Sequence, residues 1–185
     1  MSTPHTLRML TRYTAWADQK MFEALEALPA PVPAAKGAGF GSMIHTLNHS
    51  LVVDLIWRGH LEGKPHGFTS RNTEVLPTLA ALRAAQAEQD QWYIAYADAL
   101  AGAAQPAAYD EMIHFRFVDG GPGAMTRGEM LLHVVNHKTY HRGFVAEMMF
   151  QLPAKAPMID LPVFLRDAPA HLTLRGTAEP VESAG

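Results

Sequence analysis

Four long segments of this chain place apolar side chains at the three- and four-residue spacing of an amphipathic helix. They cover residues 4–28, 41–61, 77–100 and 127–151. Connectors that contain proline or glycine separate them, and these residues commonly mark where helices end. Four helices of this length in one chain of 185 residues predict an all-α protein with a four-helix bundle.

The region before the last long helix has a different pattern. Apolar residues at Met112, Phe115 and Phe117 precede a turn-forming segment at residues 119–123, which predicts a short β-hairpin. Thr126 with Glu129 three residues later predicts a capping box at the start of the fourth helix. A short helical turn is expected at residues 161–166. We expect one domain over residues 1–175 and a flexible tail at residues 176–185.

Composition excludes several classes of function. The chain has no cysteine, so disulfides, thiolate metal sites and cysteine nucleophiles are excluded. The net charge of −3 and the lack of a basic stretch argue against nucleic-acid binding. No apolar run is long enough for a membrane span, and no signal sequence is recognisable, so we expect a cytoplasmic protein.

Histidines are concentrated in two of the predicted helices. The chain has 10 histidines, and the pattern His-x-x-Asn-His occurs at residues 45–49 in the second helix and at residues 133–137 in the fourth. A further histidine follows at position 141. Five histidines are therefore candidates for one site: His45, His49, His133, His137 and His141.

This spacing has a chemical meaning. Side chains four residues apart lie on one face of a helix, so two imidazoles can reach one metal ion. A third imidazole from a facing helix would leave a coordination position open, as in catalytic sites. Imidazole ligands suit zinc, nickel, copper or iron. The structural alternative is a set of histidines that only form hydrogen bonds with Asn48, Asn136, Tyr140 or backbone carbonyls. Spacing alone does not choose among the five candidates.

Three segments resemble the DinB-like (DinB/YfiT) metalloprotein superfamily. Residues 12–18 (Arg-Tyr-Thr-Ala-Trp-Ala-Asp) are similar to its opening Tyr-x-x-Trp-Ala-Asn, and residues 49–57 are similar to its His-x4-Asp-x-x-Trp segment. Residues 136–143 (Asn-His-Lys-Thr-Tyr-His-Arg-Gly) are close to its most distinctive motif. The likeness extends from about residue 12 to residue 166.

The resemblance implies a four-helix bundle, usually a homodimer, with a divalent metal ion on three histidines. Matched residue by residue, the ligands fall on His49, His137 and His141. His45 and His133 match no ligand position and are interpreted as packing residues or partners of the ligands. The family often has glutamine after His-Arg-Gly, where this chain has Phe144, so a substrate contact through that glutamine is not carried over.

Other residues near the motifs have two interpretations each. Asp54 is interpreted as a charge partner for another helix rather than as an acceptor for a ligand histidine. Arg142 either binds an anionic substrate or pairs with an acid such as Asp18 or Asp54. Tyr140 either orients a ligand and donates a proton, or packs. Arg142 and Tyr140 are therefore the candidate catalytic residues.

The resulting hypothesis is a metal-dependent enzyme that acts on a small molecule, with zinc or nickel as the expected metal and iron as a third candidate. Some relatives in the family resemble thiol-dependent transferases or isomerases, so a low-molecular-weight thiol is the expected co-substrate. Hydrolysis by metal-activated water is the other reaction type. The alternative function is a metal-binding protein of a damage or stress response, without turnover.

Overall fold

Four long helices account for most of the computed structural model, which describes residues 3–35, 41–102 and 106–168. They are α1 (Thr3–Glu26), α2 (Met43–Glu62), α3 (Leu79–Gly102) and α4 (Arg127–Phe150). Both α1 and α2 pack against α3 and α4, so α1 and α2 stand at diagonal corners of the bundle. The predicted all-α bundle is confirmed, and each helix begins and ends within two residues of its predicted limits.

Local capping residues fix the starts of α2 and α4, the two helices that carry the histidine motifs. Ser42 caps α2, because its side chain accepts a hydrogen bond from the backbone N–H of His45 at 3.0 Å. Thr126 and Glu129 form the predicted capping box, with N–H to side-chain oxygen distances of 3.1 and 2.7 Å. These caps fix where α2 and α4 begin, and therefore where each histidine motif lies along its helix.

The predicted hairpin is present between α3 and α4. Strand β1 (Met112–Arg116) pairs antiparallel with β2 (Pro122–Thr126), and Met112 lies opposite Thr126. The turn is shorter than predicted, because Pro122 and Gly123 belong to β2. Gly120 accommodates the turn with φ of 88°, a left-handed conformation that favours glycine. The hairpin packs against α2 through Phe115, whose ring centroid is 5.1 Å from that of Trp57.

Helix α5 (Leu161–Asp167) confirms the short helical turn expected near the end of the domain. Its Phe164 is buried against α1, with ring centroids 5.8 Å from Tyr13 and 5.7 Å from Trp16. The hydroxyl of Tyr13 donates a hydrogen bond to the carbonyl of Ile159 at 2.9 Å. The predicted flexible tail lies outside the described residues.

Two apolar clusters lie between the four long helices, and a third packs α5 against α1. Of the two between the long helices, one includes Trp57, Tyr93 and Met130, and the other includes Met21, Leu47 and Met149. Buried charged or amide side chains lie near the boundary of the two clusters on each long helix: Asp18, Asp54, Gln86, Asp90, Lys138 and Arg142. The core is therefore two apolar regions with a buried charged layer between them. Among the described residues, no helix is long and apolar enough to cross a bilayer.

Candidate metal centre

Three histidines from two helices converge between α2 and α4. His49 lies on α2, and His137 and His141 lie one turn apart on α4. One ring nitrogen from each of the three lies within 4.8 Å of the others. The Nε2 atoms of His137 and His141 are 3.0 Å apart. The structure thus brings together the three residues that the family resemblance implied as ligands.

Burial keeps these rings in the protonation state that metal binding requires. It lowers the pKa of His137 to about 3, and the nearby His141 and His49 add to this effect. It lowers the pKa of His141 to about 4, and it also lowers the pKa of His49. All three imidazoles are therefore neutral at pH 7, and a neutral imidazole retains the lone pair that coordinates a metal.

A backbone carbonyl orients the ring of His49. Its Nδ1 lies 3.0 Å from the carbonyl oxygen of Arg71. Because a carbonyl only accepts hydrogen bonds, Nδ1 carries the proton and Nε2 keeps the lone pair. Metal-bound histidines commonly donate their other ring N–H in this way.

The spacing of the nitrogens also fits a metal ion. Two nitrogens on a tetrahedral zinc ion lie about 3.3 Å apart at the usual Zn–N distance. The separation of 3.0 Å between His137 and His141 is close to that value. A set of three imidazoles disfavours magnesium and calcium, which prefer oxygen ligands. The residues present therefore fit a divalent transition-metal ion.

The segment that supplies the Arg71 carbonyl is held by Asn48, the residue before His49. Asn48 is buried, and its Oδ1 accepts hydrogen bonds from Asn72 Nδ2 at 3.2 Å, from the Thr73 backbone N–H at 3.0 Å and from the Thr73 hydroxyl at 3.1 Å. Sequence reasoning missed this role, although Asn48 stands in the repeated His-x-x-Asn-His motif. The equivalent Asn136 is exposed, so the two copies of the motif differ in structure.

The other two candidate histidines lie outside the three-histidine group. The ring of His133 packs against Trp57, with centroids 4.6 Å apart, and lies 5.6 Å from the ring of His137. His45 is half-buried one turn before His49, and its backbone carbonyl accepts a hydrogen bond from Asn72 at 3.0 Å. Both residues are therefore neighbours of the proposed ligands.

A cavity of about 260 Å³ opens beside the triad, with His49 and His137 in its wall. Its apolar lining comes from α2 and from the hairpin region: Val53, Ile56, Trp57, Phe117 and Val118. His60, Arg71 and His133 complete the lining. Trp57 thus belongs both to the apolar core and to this wall. The cavity gives a small molecule access to the triad.

Lys138, which sequence reasoning did not single out, is fully buried next to His137. Its Nζ lies 2.6 Å from Asp18, 2.8 Å from Asp54 and 3.2 Å from Asp90, and these carboxylates come from α1, α2 and α3. One lysine of α4 is thus bonded to each of the other three long helices. The pKa of Asp90 is raised to about 7, mainly by burial. The charge of Lys138 lowers this pKa, and the charges of Asp18 and Asp54 raise it.

The remaining candidates are placed as follows. Arg142 is buried and donates to Asp18 at 2.8 Å, so the structure contains the ion pair rather than an arginine open to substrate. Asp54 forms the predicted ion pair with another helix, because it contacts Lys138 of α4. Tyr140 is exposed, and its ring centroid is 5.2 Å from that of His141. A catalytic role for Tyr140 stays a prediction.

Comparison with known proteins agrees with this architecture. The family model described as the DinB family matches residues 1–176. Protein DinB from Bacillus subtilis (strain 168) is 26% identical over 157 residues, which cover 84% of this chain and 91% of that protein. The similarity therefore extends well beyond the three short segments that first indicated it.

Proposed function

The chain belongs to the DinB family, and on that premise we propose that it is a metal-dependent enzyme that acts on a small molecule. His49, His137 and His141 are the proposed ligands of one divalent ion, with zinc or nickel as the favoured metal. The observation that carries the proposal is the meeting of three neutral imidazoles within 4.8 Å of one another, with two of them, His49 and His137, in the wall of a cavity. Three protein ligands leave one coordination position for a substrate.

A divalent ion bound there would lower the pKa of a coordinated water or thiol toward neutrality. The residues of the chain prepare the site for this chemistry. Burial keeps the imidazoles neutral, and the Arg71 carbonyl fixes the ring of His49. The apolar wall around Trp57 excludes water from one side and strengthens electrostatic interactions with a bound reactant.

We further propose a low-molecular-weight thiol as co-substrate, in a transfer or isomerisation reaction, with hydrolysis as the second reaction type. A metal-binding role in a damage or stress response, without turnover, is the alternative function. A site without turnover needs no adjoining cavity, so the cavity beside His49 supports the catalytic proposal. Assembly as a homodimer is also proposed, on the family resemblance alone, and analytical ultracentrifugation tests it.

The first experiment measures metal content. Protein purified without chelators and analysed by mass spectrometry for transition metals is expected to contain roughly one ion per chain. The variants His49→Ala, His137→Ala and His141→Ala are expected to lose it, while His133→Ala, one turn from His137, retains it. Circular dichroism checks that each variant is folded. Equal metal content in all four variants would refute the ligand assignment.

The second experiment measures turnover. Metal-loaded protein is incubated with glutathione, cysteine or another small thiol and a panel of electrophiles, and thiol consumption is followed. Transfer that depends on the triad supports the enzyme. If the metal binds through the triad but neither thiol transfer nor ester hydrolysis exceeds the His137→Ala background, the alternative without turnover is the better account.

A further inference from the structure

Arg71 contributes to the cavity wall, and among the described residues its exposed side chain has no hydrogen-bond or ion-pair partner. Among the described residues, every other arginine donates a side-chain hydrogen bond to an acceptor of the protein, as Arg127 does to Glu111 and Arg142 to Asp18. The contact of Arg71 with His49 uses its backbone carbonyl only. An arginine has five N–H donors in a fixed fork, and this arrangement suits the two oxygens of a carboxylate.

The charge distribution of the cavity favours an anion. Its lining contains Arg71 and several histidines but no aspartate or glutamate. Arg71 also lies beside the triad, because its backbone carbonyl oxygen is 3.0 Å from Nδ1 of His49. Asp54, which follows the lining residue Val53 on α2, is already paired with Lys138. An anion in the cavity therefore meets a cation and no opposing acid.

The size and lining of the cavity limit the rest of the ligand. Its volume of about 260 Å³ lies just below the usual range for drug-sized ligands, so it suits a molecule of about one ring. Trp57 and Phe117 offer aromatic surfaces, and Val53 and Ile56 offer aliphatic ones. Aromatic walls favour a flat apolar body.

We propose that this cavity binds a small carboxylate with a flat apolar body, and that Arg71 is the residue that recognises the acid group. The apolar body lies against Trp57 and Phe117, which places the molecule beside His49 and His137. This inference rests on the proposed function, because the triad forms part of the same cavity. The sequence pattern made Arg142 the candidate for binding an anionic substrate. The proposal assigns this role to Arg71.

Isothermal titration tests the acid group with three probes that share a phenyl ring: phenylacetate, 2-phenylethanol and phenethylammonium. Metal-loaded protein is expected to bind phenylacetate at least about 10-fold more tightly than the alcohol, and the ammonium ion more weakly still. Acetate is the probe for the apolar body, and we expect it to bind about 10-fold or more weakly than phenylacetate. Equal binding of the carboxylate and the alcohol, or of acetate and phenylacetate, would overturn the proposal.

Arg71→Met tests the residue. The substitution removes the guanidinium but keeps the backbone carbonyl that contacts His49, so metal content is expected to stay unchanged while phenylacetate binding falls about 10-fold. Arg116→Met, on strand β1 and outside the cavity lining, is the matched control and is expected to bind like the wild type. Wild-type binding of phenylacetate by Arg71→Met would overturn the assignment.

Repeating the titration after chelation of the metal separates this inference from the proposed function. The preference for phenylacetate and its dependence on Arg71 are expected to persist in metal-free protein, because the guanidinium does not need the metal. A preference that disappears with the metal would mean that the ion, not Arg71, holds the carboxylate, and the inference would fail while the metal site stood. Loss of metal binding in the triad variants is read independently by elemental analysis.

Discussion

Lys138 Nζ lies 2.8 Å from Asp54 Oδ2 in the buried layer of the bundle, and this contact joins the two helices that supply the histidine triad. Asp54 is five residues after His49 on α2, and Lys138 directly follows His137 on α4. The same amino group bonds Asp18 and Asp90. The relative placement of the proposed ligands therefore depends on an ion cluster that takes no part in metal binding.

We expect Lys138→Met to destabilise the protein by about 3–5 kcal/mol, because it leaves the buried carboxyl groups of Asp54 and Asp90 without their cation. Denaturation in urea, followed by circular dichroism, measures the free energy of unfolding. Lys20→Met is the control, since Lys20 pairs with Glu23 at the surface, and its loss is expected to cost less than about 1 kcal/mol. Similar losses in the two variants would contradict the structural role of the cluster.

The contrast between Lys138 and the histidines shows which features a sequence can reveal. Helix limits and the capping box of Thr126 and Glu129 depend on residues close together in the chain, and they were predicted correctly. The burial of Lys138 depends on the carboxylates of Asp18, Asp54 and Asp90, which lie 120, 84 and 48 positions earlier in the chain. A lysine in a polar motif is ordinarily solvated, so no local pattern indicated this one.

The roles of Asn48 and Arg71 were hidden for the same reason. Both act through contacts between α2 and the loop that follows it, and the conformation of a loop is set by tertiary contacts rather than by periodicity. Spacing also left five histidines as candidates. Family resemblance narrowed them to three, and the structure places those three within reach of one ion.

Asp90 is expected to give the stability of the protein a distinct dependence on pH. Its pKa rises from 3.8 to about 7 on folding, mainly through burial. Between these values the folded protein holds a proton that the unfolded chain has released, so the contribution of Asp90 to stability falls as pH rises. We therefore expect Asp90→Asn to gain stability relative to the wild type between about pH 5 and about pH 8.

Urea denaturation of the wild type and of Asp90→Asn, at about pH 5 and about pH 8, measures the difference in their free energies of unfolding. Asp98→Asn is the control, because ion pairs with Arg12 and Arg8 lower the pKa of Asp98 and place its titration below this range. Its stability relative to the wild type should be the same at both pH values. A constant difference for Asp90→Asn would show that Asp90 is ionised throughout.

Gly143 is expected to be replaceable by alanine with a gain in stability. It lies within α4, is exposed, and a β-carbon there would meet no atom within 4 Å. Alanine has a higher helix propensity, so Gly143→Ala should stabilise the protein by about 1 kcal/mol in thermal or urea denaturation. Gly123→Ala should do the opposite, because its β-carbon would lie 2.6 Å from the ring of Phe115. Destabilisation by Gly143→Ala would indicate that another surface covers this position.

Asn48 is expected to control metal affinity through the loop rather than by touching the metal. Asn48→Leu keeps the size of the side chain but removes the acceptor that holds Asn72 and Thr73. The Arg71 carbonyl is then no longer held against His49, and loss of such a partner typically weakens metal binding about 10- to 100-fold. Competition with a chromophoric zinc chelator measures the affinity.

Asn136→Leu is the matched control for this prediction, because Asn136 occupies the same place before His137 that Asn48 occupies before His49. It is exposed, so its replacement should leave metal affinity unchanged. If the two variants weakened zinc binding equally, the asparagine would act within its own helix in both copies of the motif, and the loop would have no part in orienting His49. A loss confined to Asn48→Leu would establish that the hydrogen bonds to the loop fix the third ligand.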